Sequence, residues 1–192
     1  MNKHGLSLSL LLTLITVPAA AQQYTMYDNG PLNGQAYART INSGYAVTNS
    51  FYNSAGLILS GLSFWVWLYP GDNMYSVRIS IGSTPYGTDV YDNYFNTSQS
   101  SCFINQDGYN VCLISVDFYA SPSATSWLTL QDASVSNNDP VYWDQNAGVG
   151  CMSQGCPSRA LQRASGMVLP TSAIPSETFT VYGIMYSENK QR

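Results

Sequence analysis

Hydrophobic and polar positions alternate with a period of two along most of this chain. Residues 74–81 are the cleanest run, with Val77, Ile79 and Ile81 on one face and Ser76, Arg78 and Ser80 on the other. Ile114, Val116 and Phe118 alternate in the same way, and so do Leu128 and Leu130 within 127–131. The densest apolar stretch, Gly61-Leu62-Ser63-Phe64-Trp65-Val66-Trp67-Leu68, is closed by Pro70-Gly71 and is too short for a membrane helix. It predicts a central strand, with Gly61 as the place for a bend or bulge. Trp65 and Trp67 lie two apart and so share a face. They read as a stacking platform or, given their apolar neighbours, as core.

Shorter strands are predicted at residues 24–28, 45–52, near 90–91, at 141–143 and at 178–186, separated by Gly, Asn, Asp, Ser and Pro. Residues 147–173 read as a long irregular excursion with one helical turn near 159–163. Eight to ten short antiparallel strands in one domain predict an all-β fold, a two-sheet antiparallel β-sandwich of jelly-roll type. A closed barrel is the competing architecture. No internal repeat of fixed period is present, which argues against a propeller or solenoid.

The amino terminus changes the inventory. Lys3 and His4, an apolar run to Val17 and Ala19-Ala20-Ala21 form a signal-peptide pattern over residues 1–21. The expected organisation is a signal peptide, a single β-sandwich domain over 22–186 and a polar tail over 187–192. Cleavage before Gln22 removes the only histidine and leaves 6 Lys+Arg against 11 Asp+Glu, a formal net charge of −5. Such a surface lacks the basic patch that nucleic acids and anionic membranes require. The expected location is secreted, extracellular or periplasmic, without membrane insertion after cleavage.

Four cysteines remain: Cys102, Cys112, Cys151 and Cys156. An even number in an exported chain favours disulfides, and three pairings are open. Local geometry leans towards Cys102–Cys112, because a loop Gln106-Asp107-Gly108 with Gly108 in the left-handed position sets the two opposite each other. Cys151 and Cys156 would then close a small surface loop. A four-thiolate zinc site is disfavoured by the spacing and by an oxidising compartment.

Candidate chemistry is limited by the missing histidine, which excludes Ser-His-Asp and Cys-His arrangements. Acid–base work would fall to carboxylates, and Asp144 with Glu177 is the pair to test, as in glycoside hydrolysis. The stretch 138–146 combines Tyr142 and Trp143 with Asp139, Asp144 and Asn146. An aromatic face for sugar C–H groups beside amide and carboxylate acceptors for hydroxyls suits a glycan contact. The alternative is that Trp143 packs in the end of the sandwich and the polar residues make turns. Asp28, Asp144 and Glu177 supply hard oxygens for a structural calcium ion, and no other cofactor is indicated. Asn96-Thr97-Ser98 fits the N-glycosylation pattern, which matters only in a eukaryotic secretory route.

The chain resembles small exported bacterial domains found upstream of a PEP-CTERM sorting signal. The resemblance rests on Tyr27-Asp28-Asn29-Gly30-Pro31, Gly44-Tyr45-Ala46-Val47, Gly61-Leu62-Ser63-Phe64 with Trp67 and Pro70-Gly71-Asp72, and Ser80-Ile81-Gly82. Trp127-Leu128-Thr129-Leu130, Asp139-Pro140-Val141-Tyr142-Trp143-Asp144 and Ile174-Pro175-Ser176-Glu177-Thr178-Phe179 complete it. It implies a secreted β-sandwich of unassigned function. The sorting signal itself is lacking, so free release is expected over anchoring. The functional expectation is a non-catalytic module that binds extracellular polysaccharide or serves in the cell-surface matrix. A carboxylate-based glycan hydrolase or lyase, and a structural envelope protein without a small ligand, are the alternatives.

Overall fold

The computed structural model describes residues 23–34, 37–53, 58–146, 160–164, 172–174 and 176–184. Residues 1–21, where the signal-peptide pattern falls, Cys151, Cys156 and residues 187–192 lie outside the described residues. Strands β1 (Gln23–Asp28), β2 (Ala38–Thr40), β3 (Tyr45–Tyr52), β4 (Ile58–Leu68), β5 (Met74–Gly82) and β6 (Tyr91–Asn96) make the first half. Then come β7 (Gln99–Ile104), β8 (Asn110–Ala120), β9 (Thr125–Val135), β10 (Tyr142–Asp144), β11 (Ala160–Ala164), β12 (Ser172–Ile174) and β13 (Phe179–Ile184). They form two antiparallel sheets, one of seven strands and one of six ordered β12-β11-β3-β9-β5-β6. The chain is therefore a β-sandwich and not a single closed barrel. No helix long and apolar enough to cross a membrane occurs among the described residues.

Strand β4 is the axis of the seven-stranded sheet. Its register with β8 runs from Leu59↔Ala120 to Leu68↔Asn110, occupying one edge. A strand has only two edges, so β13, paired over Ile58–Phe64, and β10, paired at Val66 and Trp67, share the other. β1 continues outwards from β13 and β2 from β10, while β7 continues from β8. The sheet thus splits along one side of β4, opposite Trp65. At Gly61 the register shifts against both neighbours. A Cβ there would stand 3.1 Å from the Asp117 carboxylate and from the Val116 carbonyl, so the predicted bend coincides with a close backbone approach.

The predicted inward rows make the core. Val77, Ile79 and Ile81 meet Leu62, Phe64, Val66, Ile114, Val116, Leu128 and Leu130 in one cluster between the sheets. Each such side chain contributes about 1.5–3 kcal/mol on burial, which is what holds two half-apolar layers together. Tyr27, Phe51 and Phe179 pack at one end with ring centroids 5.7–6.4 Å apart.

Two expectations are corrected. The helical turn near 159–163 is instead β11, an extended segment paired with β3 from Ala160↔Asn49 to Ala164↔Tyr45. The thirteen strands of the described residues exceed the predicted eight to ten because β2 and β12, of three residues each, carry too little alternation to announce themselves and β11 lies in the stretch read as irregular. The hairpin between β7 and β8 behaves as read. The Cys102 and Cys112 sulfurs are bonded, Gly108 has φ of 84°, and the Asn105 carboxamide accepts the amides of Asp107 and Tyr109. Its one departure is a shift between Ser100 and Phe103, where Ser101 takes a φ of 50°.

Candidate functional site

The split in the sheet brings the predicted carboxylates together. After β10 the chain leaves β4, and Gln145 bridges Glu177 while Asn146 bridges Leu32. The amide of Thr178 donates to the Asp144 carbonyl and that of Asn146 to the Ser176 carbonyl, both at 2.9 Å. Around this crossing the side chains of Asn29, Asn49, Asp144, Gln145, Asn146 and Glu177 are all buried. Asn146 donates to the Asn29 carbonyl, Asn29 to the Glu177 carbonyl, and Asn49 accepts the Glu177 amide. These amides satisfy backbone groups that the split leaves without a ladder partner.

The two acids differ in their partners. Asp144 has no exposed surface, yet its carboxylate accepts the amides of Asn33 and Gly34 at 2.9 Å and the Trp67 indole N–H at 2.6 Å. Burial raises its pKa to about 6, with those three donors pulling the other way. Neither carboxylate oxygen of Glu177 has a hydrogen-bond partner of sound geometry, nor does the Gln145 amide nitrogen or the Arg39 Nε. Burial first, then the charge of Asp144, pushes the Glu177 pKa well above the usual range, and nearby Arg39 and Gln145 offset this only in part. The pair is assembled but sealed from solvent.

Trp143 is corrected as a ligand contact. It has no exposed surface, packs against Phe64 and Phe179, and donates its indole N–H to the Thr178 carbonyl at 2.8 Å. Asp144 and Asn146 are likewise enclosed, which leaves Tyr142 and Asp139 with accessible surface. Asp139 belongs to the turn before β10, where Asn42 donates to its carbonyl and accepts from the Val141 amide. Asp28 accepts the Gly30 amide beside β1. No three acidic, histidine or cysteine side chains stand together as a metal cluster among the described residues. The three carboxylates named for calcium are therefore not assembled around one point.

The open surface lies on the outer face of the same sheet. Tyr142 pairs with Trp67, and the β4–β8 register carries on to bring Tyr69 opposite Tyr109. Ring centroids are 5.6 Å apart for Trp67–Tyr109, 5.0 Å for Tyr69–Tyr109 and 5.9 Å for Tyr109–Tyr142. The rings of Trp67, Tyr109 and Tyr142, with Ala38, enclose a shallow hollow of about 190 Å³. The phenols of Tyr69, Tyr109 and Tyr142 are neighbours in this cluster. The Tyr142 pKa is raised mainly by burial, that of Tyr109 mainly by the adjacent Tyr69 phenol, so both stay neutral at physiological pH.

Of this shelf the sequence pointed to Tyr142 and to the shared face of Trp65 and Trp67. Tyr69 and Tyr109 gave no local signal, because only strand register joins them. No family model, no curated protein and no solved structure matches the chain.

Proposed function

We propose that the protein is a secreted, non-catalytic β-sandwich module that holds extracellular carbohydrate against the aromatic shelf of its seven-stranded sheet. The observation that carries this reading is the convergence of Tyr109 and Tyr142 over the largely buried Trp67 on one open hollow, with Tyr69 against Tyr109 and no charged side chain in the lining. Flat rings offer apolar faces to sugar C–H groups, and phenols supply neutral hydrogen bonds to hydroxyls. The enclosure of Asp144 and Glu177 supports binding over hydrolysis, since a general acid must reach the scissile oxygen. A role in a cell-surface matrix, in keeping with the resemblance to PEP-CTERM-associated domains, follows from the same contact.

A glycan array probed with the mature protein, with and without calcium, tests the proposal. Binding is expected for wild type and is expected to be lost in the Tyr109→Ala/Tyr142→Ala double variant with the fold intact by circular dichroism. Absence of binding to every glycan overturns it, and release of new reducing ends from a bound glycan would favour the hydrolase reading instead.

A further inference from the structure

A second hollow, of about 320 Å³, opens on the same sheet and is lined by Asp28, Leu32, Ser63, Trp65 and Thr180 among others. Ser63, Trp65 and Trp67 alternate with the core residues Leu62, Phe64, Val66 and Leu68, so all three project from the outer face of β4. Positions two apart on a strand are separated by roughly 7 Å. The loop at residues 32–34 forms the partition. Leu32 lines the Trp65 hollow, while the Gly34 amide and the Trp67 indole meet on the same Asp144 oxygen. Phe103 leans on Trp65 at 6.1 Å and lies within 3.1 Å of where a Gly34 Cβ would be, so the partition is packed from both sides.

The chemistry of the second hollow complements the first. It too pairs an indole with oxygen groups, here the hydroxyls of Ser63 and Thr180 and the carboxylate of Asp28. Neither hollow is lined by a lysine or arginine among the described residues, and the one charge present is negative. Acidic sugars would find no counter-charge here, whereas neutral hydroxyls find acceptors in both places.

We infer that the Trp65 hollow is a second sugar subsite, and that the ligand is a neutral oligosaccharide long enough to occupy both hollows. This rests on the carbohydrate reading above and gives it a length and a charge. Titration calorimetry with cello-, xylo-, manno- and chito-oligosaccharides of one to six units, with oligogalacturonates as the acidic arm, tests it. For the series that binds, affinity is expected to rise with length and then level off, with the acidic series at least about tenfold weaker. Trp65→Ala and Asp28→Asn are each expected to weaken the longest ligand about tenfold and to leave the shortest binder unchanged. Asp28→Asn keeps an oxygen for the Gly30 amide, so it reports on the subsite even if the tryptophan variant fails to fold. Equal affinity for short and long ligands, or tight binding of oligogalacturonates, overturns the second subsite while leaving the first standing. Failure of every saccharide to bind overturns both.

Discussion

The indole of Trp67 donates at 2.6 Å to the carboxylate of Asp144, an acid that the loop at residues 32–34 covers. One bond thereby joins the aromatic shelf to the buried acids at the split. The same carboxylate accepts two backbone amides from the loop at residues 32–34, so ring, loop and acid hold one another in place.

Replacing that acceptor is costly even by its closest isostere. Asp144→Asn sets an amide NH₂ against at least one of three N–H donors, and a donor left unmatched in a buried site costs about 1–3 kcal/mol. Urea denaturation at pH 7 is expected to show a loss in that range. The shelf is expected to loosen with it, read as a shift in tryptophan emission.

Stability is expected to fall as pH rises from 4 to 8. A carboxyl whose folded pKa is raised binds its proton more tightly in the native state, so its contribution is complete below the unfolded pKa and is lost as pH climbs through the folded one. For Asp144 that window runs from 3.8 to about 6 and is on the order of 2–3 kcal/mol. Glu177 extends it upwards with the same sign. In Glu177→Gln the decline is expected to flatten at its upper end, with melting at pH 8 above wild type. A rise in wild-type stability across the same range would contradict the burial of both acids.

Tyr142 and Trp143 are neighbours on opposite faces, and their truncations are expected to separate. Trp143→Ala empties a fully buried site and removes the bond to the Thr178 carbonyl, at a cost of about 3–5 kcal/mol. Tyr142→Ala is expected to cost about 1 kcal/mol and to act on ligand binding. Paired chemical denaturation curves check the contrast.

Removing the bond between Cys102 and Cys112 releases a ten-residue separation in the unfolded chain. The Cys102→Ser/Cys112→Ser variant is expected to lose about 2–3 kcal/mol in the chain-entropy picture, with the β4–β8 pairing retained. Reduction of the wild-type protein by dithiothreitol should cost at least as much, since a bond between Cys151 and Cys156 would be cleaved with it.

Fold class, the inward rows, the bend at Gly61 and the first disulfide were legible in the chain itself. Each rests on a local rule: side chains alternate along a strand, glycine tolerates close approach, and a short loop sets its two arms in register. Which aromatic of 142–143 reaches the surface was not legible. Only the pairing of β10 with β4 turns Trp143 into the core and leaves Tyr142 half-buried beside Trp67. The meeting of Asp144 with Glu177, and of Tyr69 with Tyr109, likewise depends on segments tens of residues apart. A period-two pattern encodes which face of a strand is apolar. It does not encode the neighbour that strand will take, and that choice, made by packing across the whole sheet, is what assembled the buried acids and the open aromatic shelf.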